Sequence, residues 1–214
     1  SRYEQSLEKK VGPRHVPQQP AKGKNLRALC HSAEQLRQAG QEEASRGLLL
    51  EAAAMANSPA ECAKVLGQLP ITCPGDEKLA AGLAGRVADA YEPGSPVRCL
   101  CLAANALARA QLWDRHFAAC LVQATSSSAS SSSFATPLSS FWQSCNGADI
   151  TQVSRFVGVF HRELVPMGLR LGAFTESVSG ALMACGREGK LPSPPQLASL
   201  LRTLVRLGDS ADRV

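Results

Sequence analysis

The stretch "NLRALCHSAEQLRQAGQEEASRGLLLEAAAMA" (25–56) contains the pattern that decides the fold. Its first half places apolar residues on one face at helical spacing, and these are Leu26, Leu29, Cys30, Ala33 and Leu36. Gly40 then follows, as glycine commonly does after the last turn of a helix. A second helical pattern starts at once, with Glu42 and Glu43 in its first turn, where the helix dipole favours acidic residues. Because the connection is short, we predict an antiparallel helical hairpin.

The same pattern returns four more times along the chain. The predicted pairs are 58–70 with 74–93, 95–111 with 112–124, 136–145 with 149–164, and 173–189 with 192–209. Ser58 is predicted to cap its helix, with Pro59 in the first helical position and Glu61 completing a capping box. Five hairpins of about 37 residues each fall within the length range of solenoid repeats.

An internal alignment supports a repeat. The segments "SAEQLRQAGQ", "AANALARAQL" and "VSGALMACGR" superpose around Leu36, Leu107 and Leu182, which are 71 and 75 residues apart. Each separation is close to two repeats. The predicted fold is therefore all-α, a right-handed α-solenoid of about five antiparallel hairpins, and the alternative is an irregular helical domain.

Composition agrees with a folded helical chain. The 214 residues are 44% hydrophobic and 19% charged, and only 5% are aromatic. Alanine and leucine dominate while β-branched residues are sparse, which favours helix over sheet. No apolar run approaches the ~20 residues needed to cross a bilayer, so we expect no membrane partner.

The domain organisation follows from where the helical pattern stops. Residues 1–25 are predicted to be a flexible basic linker, with a nuclear-import or phosphate-contacting arm as the alternative. Residues 26–208 form the helical-repeat domain, with a Ser-rich loop at 125–137 inside it and a tail at 209–214. Phosphorylation of that loop is the alternative to a plain linker. The chain has no initiator Met and opens in a polar stretch, so we expect a fragment of a larger protein.

Charge is concentrated at the amino terminus. Residues 1–24 hold six basic and two acidic residues of a chain whose net charge is +5. The rest is nearly neutral, whereas nucleic-acid-binding domains usually carry a clustered basic surface.

Two stretches resemble helical-repeat families. The segment "VFHRELVPMGLRLGAFT" (159–175) resembles a pentatricopeptide junction, in which a helix closes on a Phe, a glycine turn follows and a Thr opens the next helix. Phe160, Gly168 and Thr175 occupy those positions, and "ALMACGREGKL" resembles the ending of the next first helix at Gly189, Lys190 and Leu191. The first hairpin resembles a tetratricopeptide repeat at Leu36, Ala39, Ala44 and Leu48. The resemblance is clearest at 137–208, and for an RNA-binding array it implies base reading near Ser177 or Ser179.

The sequence carries no familiar catalytic motif, and we predict neither enzymatic activity, cofactor nor small-molecule substrate. One group combines metal-ligating residue types, namely Cys99, Cys101, His116 and Cys120. The Cys-x-Cys spacing is too short for a zinc knuckle, so buried thiols are favoured over a metal site. Eight cysteines without a secretory signal indicate an intracellular, reducing compartment, either cytoplasm or nucleus, with an organelle as the alternative.

Candidate partner-binding residues are the two tryptophans and the basic residues of the last two hairpins. They are Trp113, Trp142, Arg155, Arg162, Arg170, Arg187, Lys190, Arg202 and Arg206. Core packing for the tryptophans and solvation for the basic residues are the alternatives. Our first hypothesis is a non-catalytic scaffold that binds a protein partner or associates with itself, and our second is a pentatricopeptide-like RNA-binding array.

Overall fold

The computed structural model describes residues 25–70, 74–126 and 139–211. The predicted linker, apart from Asn25, and most of the Ser-rich loop lie outside these residues. The described residues form ten α-helices, one 3₁₀ turn and no strand, in agreement with an all-α fold. The helices are α1 (Leu26–Gln38), α2 (Glu42–Met55), α3 (Pro59–Gln68), α4 (Pro74–Asp89), α5 (Arg98–Ala110), α6 (Arg115–Thr125), α7 (Ser140–Ser144), α8 (Gly147–Leu164), α9 (Leu171–Arg187) and α10 (Pro194–Ala211).

Local signals in the sequence set the helix ends. Gly40 has a φ of 74°, a left-handed conformation that a glycine adopts without strain, so α1 stops where predicted. The predicted capping box forms at α3, where the Ser58 hydroxyl accepts from the Glu61 N–H and the Glu61 carboxylate accepts from the Ser58 N–H. Asn146 and Asp149 form a second capping box at α8.

The helices pack in two rows. In the first row α1, α3, α5, α8 and α10 follow one another, each in contact with the next. In the second row α4, α6, α7 and α9 contact one another in that order. Helix α2 joins the second row through an ion pair of 2.6 Å between Arg46 Nη2 and Asp76 Oδ1 of α4. The main contacts of each first-row helix are with helices one to three places away in chain order, and the buried side chains of both rows form one continuous core.

Helix α7 breaks the alternation between rows. The chain passes from α6 through the Ser-rich segment to α7, which packs on α6 and α9 in the same row. The predicted pairing of residues 136–145 with 149–164 is therefore not the main contact of α7. The extra helix also moves Leu182 into the second row, whereas Leu36 and Leu107 lie in the first. The three segments of the internal alignment consequently do not occupy equivalent places.

Three predicted boundaries differ from the structure. Helix α9 begins at Leu171, so Thr175 lies inside the helix and its hydroxyl donates to the Gly172 carbonyl instead of opening a new helix. Thr125 ends α6 and does not belong to the Ser-rich loop. Residues 209–211, predicted to be tail, continue α10. Each shift is of the few residues by which helix ends commonly move when tertiary contacts extend them.

Two glycines in α8 allow close packing. A Cβ at Gly158 would lie 2.6 Å from Cγ2 of Thr203, so α10 approaches α8 closely at that point. A Cβ at Gly147 would lie 2.3 Å from the backbone nitrogen of Pro192, and the Gly147 N–H donates to the Lys190 carbonyl. The connection between α9 and α10 therefore lies directly on the first turn of α8.

Candidate partner-binding surface

The exposed side of the first row forms a surface that we call the front face. Its helices contact one another sideways and the second row behind, which leaves one stripe of each helix open to solvent. The side chains that form the surface are Lys64 of α3; Arg98, Leu102, Asn105 and Arg109 of α5; Arg155, Val159 and Arg162 of α8; and Arg202 and Arg206 of α10.

Charge is distributed unequally between the rows. The first-row helices contain nine arginine or lysine residues and five carboxylates, whereas the second-row helices contain five and seven. The nearly neutral charge of the chain after residue 24 is thus the sum of a basic first row and an acidic second row. A surface of one charge sign attracts a partner of the opposite sign and speeds its association.

A cleft of about 540 Å³ opens between α1 and α3 at one end of the first row. Arg27, His31 and Lys64 line it together with Glu34 and Gln68. The side-chain oxygen of Gln68 is buried and accepts no hydrogen bond from any described residue. This cleft extends the basic character of the front face toward the amino-terminal end of the described chain.

The two tryptophans belong to an aromatic core. Trp142 is only 1% exposed, and its indole N–H donates to the Thr125 carbonyl at 3.2 Å. It also meets Phe174 edge-on, with ring centroids 5.6 Å apart. Trp113 is half-buried against Phe156 and Phe160. Trp142 therefore cannot contact a partner in this structure, because its surface and its polar atom are both occupied inside the protein.

The predicted basic residues divide between different places. Arg155 and Arg162 of α8 and Arg202 and Arg206 of α10 are exposed residues of two first-row helices that contact each other. Arg170 and Arg187 lie at the two ends of α9, in the second row. Lys190, in the turn after α9, forms an ion pair of 2.9 Å with Glu188, which raises the lysine pKa by a hydrogen bond and by charge.

The two serines proposed to read RNA bases are on the second row as well. Both lie on α9, where Ser177 is half-buried and the Ser179 hydroxyl donates to the Thr175 carbonyl at 2.9 Å. An RNA-reading groove requires these serines beside the arginines of α8 and α10. The structure places the two sets in different rows.

The possible metal ligands do not converge. His116 Nε2 lies 2.6 Å from the Asp89 carboxylate, and the Cys120 thiol donates to the Ala88 carbonyl. Burial raises the pKa of the Cys99 and Cys120 thiols. A hydrogen bond with Cys145, together with burial, raises the pKa of Cys101. Within the described ranges no three His, Cys, Asp or Glu side chains are arranged to hold a metal ion.

The basic stripe of α5 is the part of this surface that our sequence analysis missed. Arg98, Leu102, Asn105 and Arg109 follow one another at intervals of four, three and four residues, the spacing of one helix face. Two arginines on the only polar side of an otherwise apolar helix indicate an exposed basic stripe, and this pattern can be read from the sequence. The apolar pattern of α5 predicts which side of the helix is buried, and the residues opposite it form this stripe.

Comparisons with family models, with curated proteins and with solved structures find no match to this chain. In the described part of the chain, no helix has the length and hydropathy to span a membrane.

Proposed function

We propose that this chain is a right-handed α-solenoid of about five helical units, of the tetratricopeptide or pentatricopeptide type, that serves as a scaffold for protein binding. It would act within a larger, intracellular protein and would carry out no catalysis itself. The packing of helices in two consecutive rows is the observation that supports this proposal most directly. Such packing makes a broad, continuous outer surface from many short helices, which is the way helical-repeat proteins present binding sites.

The front face is the proposed binding surface. It draws side chains from four first-row helices, and its excess of arginine distinguishes it from the rest of the protein. Arginine is enriched where proteins bind one another, because its planar guanidinium makes several hydrogen bonds at once.

RNA binding is the alternative function, and the same arginines favour it. Ser177 and Ser179 lie on α9, in the other row from these arginines, where Ser177 is half-buried and the Ser179 hydroxyl donates to a backbone carbonyl, and this does not favour base reading in the pentatricopeptide manner. Self-association is a form of protein binding that the test below also detects.

A capture experiment separates these functions. The chain is immobilised and incubated with cell extract, with and without ribonuclease, beside a front-face variant (Arg109→Glu with Arg162→Glu) and a second-row control (Arg115→Glu). All three arginines are exposed, so the variants should fold alike by circular dichroism.

We expect a protein partner that resists ribonuclease, is lost with the front-face variant and is retained by the control. Recovery that depends wholly on RNA would replace the scaffold with an RNA-binding array. Equal recovery by both variants would contradict the assignment of the front face, and light scattering on the purified chain would identify a self-associated complex.

A further inference from the structure

Helix α8 presents a stripe in which charge and apolar surface alternate. Arg155, Val159 and Arg162 are all exposed, and they are separated by four and three residues, so they lie in line on one face. Val159 is 40% exposed, which is unusual for a valine inside a helix whose other large apolar side chains are mostly buried. The two guanidinium groups therefore border an aliphatic patch.

Helix α5 repeats this arrangement beside it. Arg98 and Arg109 lie at the two ends of a stripe whose middle contains Leu102 and Asn105. The stripes of α5 and α8 are neighbours, because Arg155 Nη1 donates to Asn105 Oδ1 at 2.8 Å. Two parallel lines of arginine with aliphatic groups between them thus form one surface.

No ion pair neutralises the arginines at the ends of these stripes. Arg98, Arg109, Arg155 and Arg162 form no salt bridge with any described residue, and the hydrogen-bond partner of Arg155 is a neutral amide. Glu163 is an exposed carboxylate on the same helix, next to Arg162. Four arginines against one carboxylate leave an excess of positive charge on exposed surface.

We propose that the stripes of α5 and α8 bind an acidic amphipathic helix of a partner protein. In such a helix, carboxylates seven residues apart with an aliphatic residue between them match the spacing of Arg155, Val159 and Arg162. The carboxylates would accept paired hydrogen bonds from the guanidinium groups, and the aliphatic side chain would cover Val159. This inference rests on the proposed scaffold function and names the chemistry of its partner.

The surface fits such a helix better than it fits RNA. Single-stranded RNA is usually held by aromatic side chains on which bases stack. Among the described aromatic residues only Trp113 and Tyr91 are half-buried and the others are buried. Neither is a member of the two stripes, and the ring of Trp113 is packed against Phe156 and Phe160. Phosphates would also gain nothing from Val159.

The test uses fluorescence anisotropy with three labelled probes and the full chain. The first probe is an amphipathic peptide of about 20 residues, long enough to form helix, with Glu and Leu at the matching heptad positions and both termini blocked. The second has the same composition in scrambled order. The third is an oligouridylate RNA of similar charge. Each is measured at low and at physiological salt.

We expect the amphipathic peptide to bind more tightly than the other two probes at both salt concentrations. Arg162→Gln should weaken its binding by about fivefold, as expected for loss of one exposed charge pair. Val159→Ala should weaken it by about threefold, through lost apolar contact. Arg115→Gln on α6 is the matched control and should leave the affinity unchanged.

Equal binding of the scrambled peptide, tighter binding of the RNA, or equal loss with the α6 control would each overturn the inference. The scaffold function would survive these results if the extract experiment still recovered a ribonuclease-resistant partner through the front face. Failure of both experiments would remove the scaffold function as well.

Discussion

The hydrophobic cores at the two ends of this protein contain different types of side chain. The core of α1–α4 is built from alanine, leucine, valine and cysteine, and an ion pair joins α2 to α4. The core of α5–α10 contains the aromatic cluster formed by Trp113, Phe117, Phe156 and Phe160, and a second one around Trp142. Small side chains are enough to fill the core where short connections already hold the helices close together. Bulky aromatic groups fill the space where a short additional helix, α7, interrupts the alternation of the rows.

The largest expected effect comes from removing the central aromatic ring. Phe156 is fully buried, and its ring centroid lies 4.8 Å from that of Phe160 and 5.6 Å from that of Phe117. Phe156→Ala should lower the free energy of unfolding by about 3–5 kcal/mol, because it leaves a cavity among rigid neighbours. Urea denaturation followed by circular dichroism measures this.

Leu83→Ala in α4 provides the matched change in the other end, since Leu83 is equally buried. Leucine truncation costs about 2–5 kcal/mol and depends on how well the site collapses. We expect Leu83→Ala to cost less than Phe156→Ala, because it removes a smaller side chain, and a larger loss at Leu83 would contradict that order.

The ion pair between α2 and α4 should give the next effect. Arg46→Ala leaves the Asp76 side chain, which is 0% exposed, without the guanidinium that lies 2.6 Å away. Removing one partner of a buried carboxylate costs up to about 3 kcal/mol. Thermal unfolding of Arg46→Ala should show this loss, while Arg37→Ala should be nearly neutral because its pair with Glu34 is exposed. Similar melting temperatures for both variants would argue that the Arg46 pair contributes no more than a surface contact.

Close packing of α10 on α8 predicts a steric effect in the aromatic end. Gly158→Ala places a methyl group 2.6 Å from Cγ2 of Thr203, and overpacking of this kind costs about 1–3 kcal/mol. Thr203→Ser removes the opposing methyl group and keeps the hydroxyl that donates to the Ser199 carbonyl. The double variant should therefore recover most of the lost stability.

Gly82→Ala in α4 is the corresponding change in the amino-terminal end. A Cβ there meets nothing within 4 Å, so the variant should gain about 0.5–1 kcal/mol from helix propensity. Stabilisation by Gly158→Ala as well would show that α10 moves freely relative to α8.

The two capping boxes allow a comparison of smaller effects. Asn146 Oδ1 accepts from two backbone N–H groups, at 2.8 and 3.0 Å, whereas Ser58 Oγ accepts from one at 3.3 Å. Asn146→Ala should cost about 1–2 kcal/mol and Ser58→Ala about 0.5–1 kcal/mol. Urea midpoints decide the order, and a larger loss at Ser58 would contradict the geometry.

A pH dependence at α3 is the smallest expected effect. Hydrogen bonds from the Ser58 and Asn57 N–H groups hold the pKa of the Glu61 carboxyl below its ordinary value. A carboxylate with a lowered pKa stabilises the fold above the pKa it has when unfolded, and this contribution is lost as the pH falls through the folded value. The melting temperature of Glu61→Gln should therefore approach that of the parent chain in acid. If the difference in melting temperature between the two chains stayed constant down to acidic pH, the charge of Glu61 would not contribute to stability.

The sequence predicts that the helices form and where most of them end, because these features are determined by residues close together in the chain. The apolar stripe from Leu26 to Ala33, the turn at Gly40 and the cap at Ser58 each act within a few residues. The place of α7 was not predictable in this way. Its position depends on Trp142, which packs on Phe174 and donates a hydrogen bond to the Thr125 carbonyl. Both contacts join residues that are far apart in sequence, so the residues next to Trp142 do not predict them.

The sequence predicts the candidate surface from the basic residues of the last two hairpins. The arginines of α8 and α10 that share the front face were expected to act together, since both helices lie in the basic carboxyl-terminal region. The sequence groups Arg170, Arg187 and Lys190 with them, whereas the structure places Arg170 and Arg187 at the ends of α9, in the second row, and Lys190 in the turn that follows. Sequence distance does not distinguish the two rows. Row membership is a property of the packed helices and is set by contacts such as that of Gly158 with Thr203.

The native cysteines can report local opening of this protein. Seven thiols in the described chain are unpaired, five of them buried and two, Cys99 and Cys120, half-buried. A buried thiol reacts with an alkylating reagent only while its surroundings are open, so the rate at each site reports the free energy of local opening. Cys30 and Cys62 are buried in the core of α1–α4, and Cys101 and Cys185 are buried in that of α5–α10. Mass spectrometry of the alkylated protein would rank the two cores by how often each opens, without a single substitution.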